Sequence, residues 1–246
     1  MILCIGCLAA CNNGNGGTDS NDPADLQTDI YTITTQIKFA TDDPALKDAV
    51  NVMNSTMTTN VNHDDVMVSV DAGTESASVN NEYILVGGVL YHAYTVKVGE
   101  YSVSTCKKAT FGDGEKDSVI SKAGGAKIGI ASFLTQELST GSKTETYTCS
   151  EITDEARAEL ESLYSARLAS IGASVTVDSA EYVLEFVDGR ETSSTLSVSF
   201  IVTIDGQNHT LIMRQYASYD YENQQQIAAP ENAESYTEVS AEDIIG

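Results

Sequence analysis

The chain has 246 residues, with 13 Lys and Arg against 36 Asp and Glu, a formal charge of −23. That balance excludes a reader of nucleic-acid phosphates, which needs basic side chains to displace counterions, and a polybasic contact with anionic lipid. A hydrophobic fraction of 41% is enough to fill a core, and the length suits one β-rich domain.

Residues 1–10, MILCIGCLAA, are uncharged and close on small residues before Cys11. An apolar run ending this way is what a signal peptidase reads. Leu8-Ala9-Ala10-Cys11 resembles the lipobox of bacterial prolipoproteins. The resemblance implies cleavage before Cys11, a diacylglyceryl group on its sulfur, and a membrane anchor facing outside the cytoplasm, at the cell surface or in the periplasm. The run is short and holds no Lys or Arg, so a signal peptide with its true start upstream is expected. Residues 11–29 then form a lipidated tether, because their Asn, Gly, Asp, Ser and Thr cannot bury enough surface to offset ordering. Residues 30–246 are expected to fold as a single domain.

A first strand is expected from Ile30, where YTITTQIKFA alternates. Asp43-Pro44 starts a helix, with Leu46, Val50, Met53 and Met57 as its apolar stripe. From Val61 the pattern turns to strands. VMVSV at 66–70 alternates, EYILVGGVLYHAYTVKV folds back at Gly87-Gly88, and EYSVSTCKK adds another strand. Across 113–134 a short helix, a loop and a second short helix are expected, since Gly124, Gly125 and Gly129 interrupt the helix formers. KTETYTC at 143–149 reads as a strand. Thr153 caps a helix whose stripe is Leu160, Leu163, Tyr164, Leu168 and Ile171. Three long strands close the domain, with turns at Asp188-Gly189 and Asp205-Gly206. On the middle one Leu196, Val198, Phe200, Val202 and Ile204 share a face by strict period two. Helices set apart from antiparallel strands indicate α+β, a sheet curled over helices.

Three of the five cysteines, Cys4, Cys7 and Cys11, belong to the signal and anchor. That leaves Cys106 and Cys149, an even pair in an exported domain, and a disulfide is expected between them, closing a loop worth ~4 kcal/mol. The Cys4-Ile5-Gly6-Cys7 spacing has no second pair and no nearby His, so it is not a zinc or redox motif.

Little in the sequence points to catalysis. His63, His92 and His209 lie in or beside strands, away from any ligand spacing, and no G-x-S-x-G is present. Asp71-Ala72-Gly73-Thr74 lacks the second copy that an aspartic-protease pair needs, and Asp113-Gly-Glu115-Lys-Asp117 fails the Ca²⁺-loop pattern at its sixth and twelfth positions. No enzyme activity, cofactor or metal is therefore expected.

Residues Glu82–Tyr91 (a strand that turns and returns bearing Tyr), the helix over 153–171 between two β-rich halves, and YDYENQQQIAAP with its Ile227–Pro230 segment resemble the half-barrel lipoprotein fold of the LolA and LppX/LprG type. The resemblance spans roughly 30–230. It implies a curved antiparallel sheet, a half-barrel, with helices on or across one face and room on that face for an acyl chain. The expected function is a membrane-anchored lipoprotein that binds a hydrophobic ligand. The candidate lining is Leu184, Phe186, Leu196, Val198, Phe200, Val202, Ile204, Leu211 and Met213. The alternative is a cell-surface structural or protein-interaction lipoprotein without a small ligand, which would expose a contiguous apolar or aromatic patch.

Overall fold

The computed structural model describes residues 30–111, 116–124, 145–150, 152–188, 190–222 and 226–245. In chain order the elements are β1 (Ile30–Ala40), α1 (Pro44–Asn51), β2 (Ser55–Asn62), β3 (Asp65–Gly73), β4 (Ala77–Val86), β5 (Val89–Val98) and β6 (Tyr101–Thr110). There follow α2 (Lys116–Gly124), β7 (Glu145–Cys149), α3 (Asp154–Leu168), β8 (Ser174–Val187), β9 (Arg190–Ile204), β10 (Gln207–Asp220), β11 (Thr237–Glu238) and α4 (Glu242–Ile245). All the strands join one open sheet in the order β11-β6-β5-β4-β3-β2-β1-β10-β9-β8-β7. Every pairing is antiparallel except that of β11 with β6. The architecture is α+β, a large open sheet with few helices.

Tight turns generate two meanders. Gly87 and Gly88 both take positive φ, 57° and 74°, which a two-residue type I′ turn requires, and Val86 therefore faces Val89 across β4–β5. Asp205 and Gly206 repeat the device, with φ 50° and 78°, between β9 and β10. The meanders β2–β6 and β8–β10 meet only through β1, which pairs with β2 on one side and β10 on the other.

The helices pack on one face and share a core with it. Leu46 and Val50 of α1, Val119, Ile120 and Ala123 of α2, Ala156, Leu160, Tyr164 and Leu168 of α3, and Ile244 of α4 all belong to that core. Thr153 caps α3 as its sequence implies, its Oγ1 accepting from the Ala156 amide at 3.2 Å. Hydrogen bonds then fix α3 along β8. The Arg157 guanidinium donates to the Val177 carbonyl at 2.6 Å, and the Val177 amide donates to Glu161 at 2.8 Å. The Val175 amide donates to Ser165 Oγ at 3.1 Å.

Three expectations are corrected. The first helix ends at Asn51, and Met57 lies on β2, where alternate burial of Ser55, Met57, Thr59 and Val61 explains its apolar character. The Cys106–Cys149 disulfide is not formed: Cys106 is a free thiol, and β6 lies next to one margin of the sheet whereas β7 forms the other. The C-terminus holds two further elements not expected from the sequence, β11 and α4. They fold back over β6, where the Val239 amide donates to the Lys108 carbonyl at 2.9 Å and Lys108 Nζ donates to the Ala233 carbonyl at 3.2 Å. In the 113–134 region, α2 occupies the place of the first short helix. The second one, the Asp113–Glu115 turn, and the signal, Cys11 and tether at 1–29 lie outside the described residues.

Candidate functional site

Residues opposite one another in neighbouring strands point to the same face of a sheet. The helix-bearing face can therefore be followed in rows. One row runs Val66–Leu85–Leu90–Ala109 across β3 to β6 and lies in the core. The next, Val68–Tyr83–His92–Lys107, stays beneath helices and the C-terminal segment, with the Lys107 ammonium donating to the Asp243 carbonyl at 3.4 Å. Two rows further on, burial persists at Val79 on β4 but fades toward β5 and β6 among the described residues. Ala72–Val79–Val96–Val103 and Ala77–Val98–Tyr101 carry an apolar strip of the same face into solvent. Val98 is 58%, Val103 70% and Tyr101 83% exposed.

The nine lining candidates occupy the opposite part of that face. Leu184 and Phe186 lie on β8, Leu196 to Ile204 on β9, and Leu211 and Met213 on β10. Eight of them are buried in the core and Ile204 is partly buried against it. Tyr164 of α3 packs on two of them, Phe200 and Met213. Its ring lies 5.0 Å from Phe200 and 5.5 Å from Phe39, and its hydroxyl donates to Met213 Sδ at 2.9 Å. The structure thus brings the candidates together as packed core under a helix. Among the described residues the most exposed large apolar side chains lie instead at the β5–β6 end, where Tyr94, Val96 and Val98 alternate with period two.

Several polar groups are buried on the same face. Arg167 of α3 lies 5.2 Å over the Tyr164 ring, and its Nε, Nη1 and Nη2 are all inaccessible and without a hydrogen-bond partner. Ser55 Oγ and Thr59 Oγ1 are orphaned likewise. Near the β8–β9 turn, a bulge between Glu185 and Phe186 brings Glu191 opposite Phe186, onto the core face. Burial raises its carboxyl to about 7, against hydrogen bonds from Tyr219 and Ser194 that favour the charged form. One carboxylate oxygen, Oε1, has no partner. The Tyr221 hydroxyl donates to the Glu191 carbonyl at 2.9 Å, and burial pushes that hydroxyl up to about 12.

The three histidines lie on different parts of the sheet. His92 stacks on Tyr83 at 4.4 Å and shares a 2.7 Å hydrogen bond with Asn81 Oδ1; burial, then Lys107 and Lys122, lower its pKa to about 4. His209 on β10 pairs with Asp43 at the start of α1, and His63 sits in the β2–β3 turn at φ 56°. The Asp71–Thr74 segment ends β3 in a turn, where the Thr74 amide donates to the Ala77 carbonyl at 2.8 Å. Among the described residues no three His, Cys, Asp or Glu side chains gather into a metal cluster.

No family model and no curated protein sequence matches the chain. Among solved structures, the ywiB protein from Bacillus subtilis aligns over 79% of this chain and 92% of its own, at 6% identity and a TM-score of 0.21. That value is too low to assign a common fold.

Proposed function

We propose that the chain is an exported lipoprotein, anchored to a membrane through Cys11, whose half-barrel domain of the LolA and LppX/LprG type binds a hydrophobic ligand such as a lipid or acyl chain. The observation that carries this reading is the exposed group Val98, Tyr101 and Val103, with Val96 partly exposed beside it. It lies on the helix-bearing face and, among the described residues, is exposed at β5 and β6. Exposed, contiguous apolar surface of this kind marks a binding site rather than ordinary surface. The ligand surface proposed is this strip, and not the Leu196–Ile204 face, which is packed into the core.

Native mass spectrometry of the chain extracted in mild detergent tests it. A bound acyl lipid is expected, and Val103→Lys with Tyr101→Ser should remove it without loss of thermal stability. A wild-type protein that stays free of adducts at saturating lipid would sink the reading.

The alternative, a cell-surface structural or protein-interaction lipoprotein, is favoured by the same exposed residues, which are the apolar patch expected of it, by the packing of the candidate lining into the core, and by one further observation. Among the described residues the outer edge of β6 is paired only at Lys107 and Lys108, so Tyr101–Cys106 offers unpaired backbone beside exposed Tyr101 and Val103. Such an edge accepts an added strand. A photo-crosslinking residue at Ser102 would capture a protein under this reading, and none under the first.

A further inference from the structure

The edge of β6 is guarded over only part of its length. β11 pairs with Lys107 and Lys108, and the Val239 amide adds a bond to the Lys108 carbonyl at 2.9 Å. The chain enters β11 from the helical turn Ala233–Ser235, so among the described residues Tyr101–Cys106 has no neighbouring strand on its outer side. Edges left open in this way normally carry a charge, a proline or a bulge that discourages further pairing. The segment YSVSTC at 101–106 holds neither charge nor proline, and it follows β5 without a break in register. Its first five residues are exposed.

This segment is complementary to itself. Tyr101, Val103 and Thr105 share the helix-bearing face, and Ser102 and Ser104 share the other. Antiparallel pairing of two copies centred on Val103 sets Val103 opposite Val103, Tyr101 opposite Thr105 and Ser102 opposite Ser104. Residues directly opposite point to the same side, so the exposed apolar groups of the two copies meet on one face and the serines on the other. A shift by one residue would set Val103 against a serine and turn the two helix-bearing faces to opposite sides. We propose that the open edge of β6 is the interface of a homodimer, in which two copies pair antiparallel about Val103 into one continuous sheet. The inference deepens the protein-interaction reading and rests on it, naming the partner as a second copy of this chain.

Charge selects both the place and the direction of pairing. Two copies at −23 repel each other, and they do so least where acids are scarce. The β5–β6 hairpin, residues 89–110, is such a place, because it carries Lys97, Lys107 and Lys108 against the single acid Glu100. Antiparallel pairing brings Glu100, just before one end of the segment, beside the Lys107–Lys108 end of the second copy. Two-fold symmetry makes that contact twice. Parallel pairing would instead set Glu100 beside Glu100 and the lysines beside lysines. A ladder of five residues a side is small, so association is expected to depend on concentration.

The experiment is sedimentation of the purified full chain over a concentration series, together with oxidative cross-linking of single-cysteine variants in a Cys106→Ser background. The wild type should pass from monomer to dimer as concentration rises. Val103→Lys sets two like charges opposite each other and should weaken dimerisation at least about tenfold, with an unchanged melting temperature because Val103 is exposed. Val103→Cys should form a disulfide between copies, since residues directly opposite lie at a distance that a disulfide spans. Ser102→Cys and Ser104→Cys should cross-link when the two variants are mixed, and neither should do so alone beyond the background. A wild type that stays monomeric, a dimer indifferent to Val103→Lys, or cross-linking by Ser102→Cys alone as efficient as by Val103→Cys would each overturn the homodimer. If the photo-crosslinking residue at Ser102 then captures a different protein, the protein-interaction reading stands without it; if it captures none, both are removed.

Discussion

The Tyr164 hydroxyl donates to the sulfur of Met213 at 2.9 Å, joining the middle of α3 to β10 across the core. Around this bond the ring is held between Phe39 and Phe200, so a single side chain closes the helix onto β1, β9 and β10. Tyr164→Phe removes only the hydrogen bond and should cost about 0.5–1 kcal/mol in urea unfolding. Tyr164→Ala leaves a cavity as well and should cost about 3–5 kcal/mol. Equal losses for the two variants would mean that the ring contributes nothing beyond its hydroxyl.

Glu191 gives the domain a pH dependence of defined sign. Its carboxyl lies at about 7 in the folded state against 4.5 for an ordinary glutamate. Between those values the folded protein holds a proton that the unfolded chain has released. Stability from this group is therefore complete at the acid end, falls as pH rises through 7, and is then gone. The loss should be on the order of 2 kcal/mol. Comparing unfolding of the wild type and Glu191→Gln at pH 5 and pH 8 isolates it, since the variant should lack this part of the decline. Parallel pH profiles would show that Glu191 ionises normally.

His92 acts in the opposite direction. Burial and the nearby lysines hold its pKa at about 4, below the usual 6.5. The folded state thus resists a proton that the unfolded chain accepts, and stability is lost as pH falls from 6.5 through 4. Nuclear magnetic resonance of the ring protons should show constant shifts from pH 8 down to about 5. A midpoint near 6.5 would contradict the stacked, buried position beside Tyr83 and Asn81.

For the anchor, Cys11→Ser should move the protein from the membrane to the soluble fraction of fractionated cells, and metabolic labelling with a fatty-acid analogue should disappear with it. Retention in the membrane by the variant would exclude the lipobox reading.

Those features of the fold that depend on neighbours in sequence were legible in it. Gly87-Gly88 and Asp205-Gly206 mark hairpins because only certain residues accept the positive φ of their turns, and Thr153 marks a helix start because its hydroxyl serves the next amides. What depends on distant packing was not. Met57 fits a helical spacing from Met53 and a strand spacing from Ser55 equally well, and pairing with β1 and β3 decides in favour of the strand. The period-two apolar face from Leu196 to Val202 reads as a ligand lining in the sequence, yet a face so densely apolar becomes buried core. The more sparsely apolar Val98, Tyr101 and Val103 stay exposed among the described residues. The burial of Arg167 over Tyr164 is invisible in a sequence where an arginine near the end of a helix is ordinary dipole chemistry.

The position of β1 between the two meanders sets an order of assembly. Its pairing with β2 bridges only the short α1 connection, whereas its pairing with β10 joins Thr32 to Asp220 across most of the domain. Contacts so distant in sequence form late, because a long loop must close before they contribute. During synthesis, β1 to β6 can complete a six-stranded unit while the outer edge of β1 still awaits a partner. That edge contains Ile33, Ile37 and Phe39, and until β10 arrives it is the site most exposed to pairing with the wrong chain.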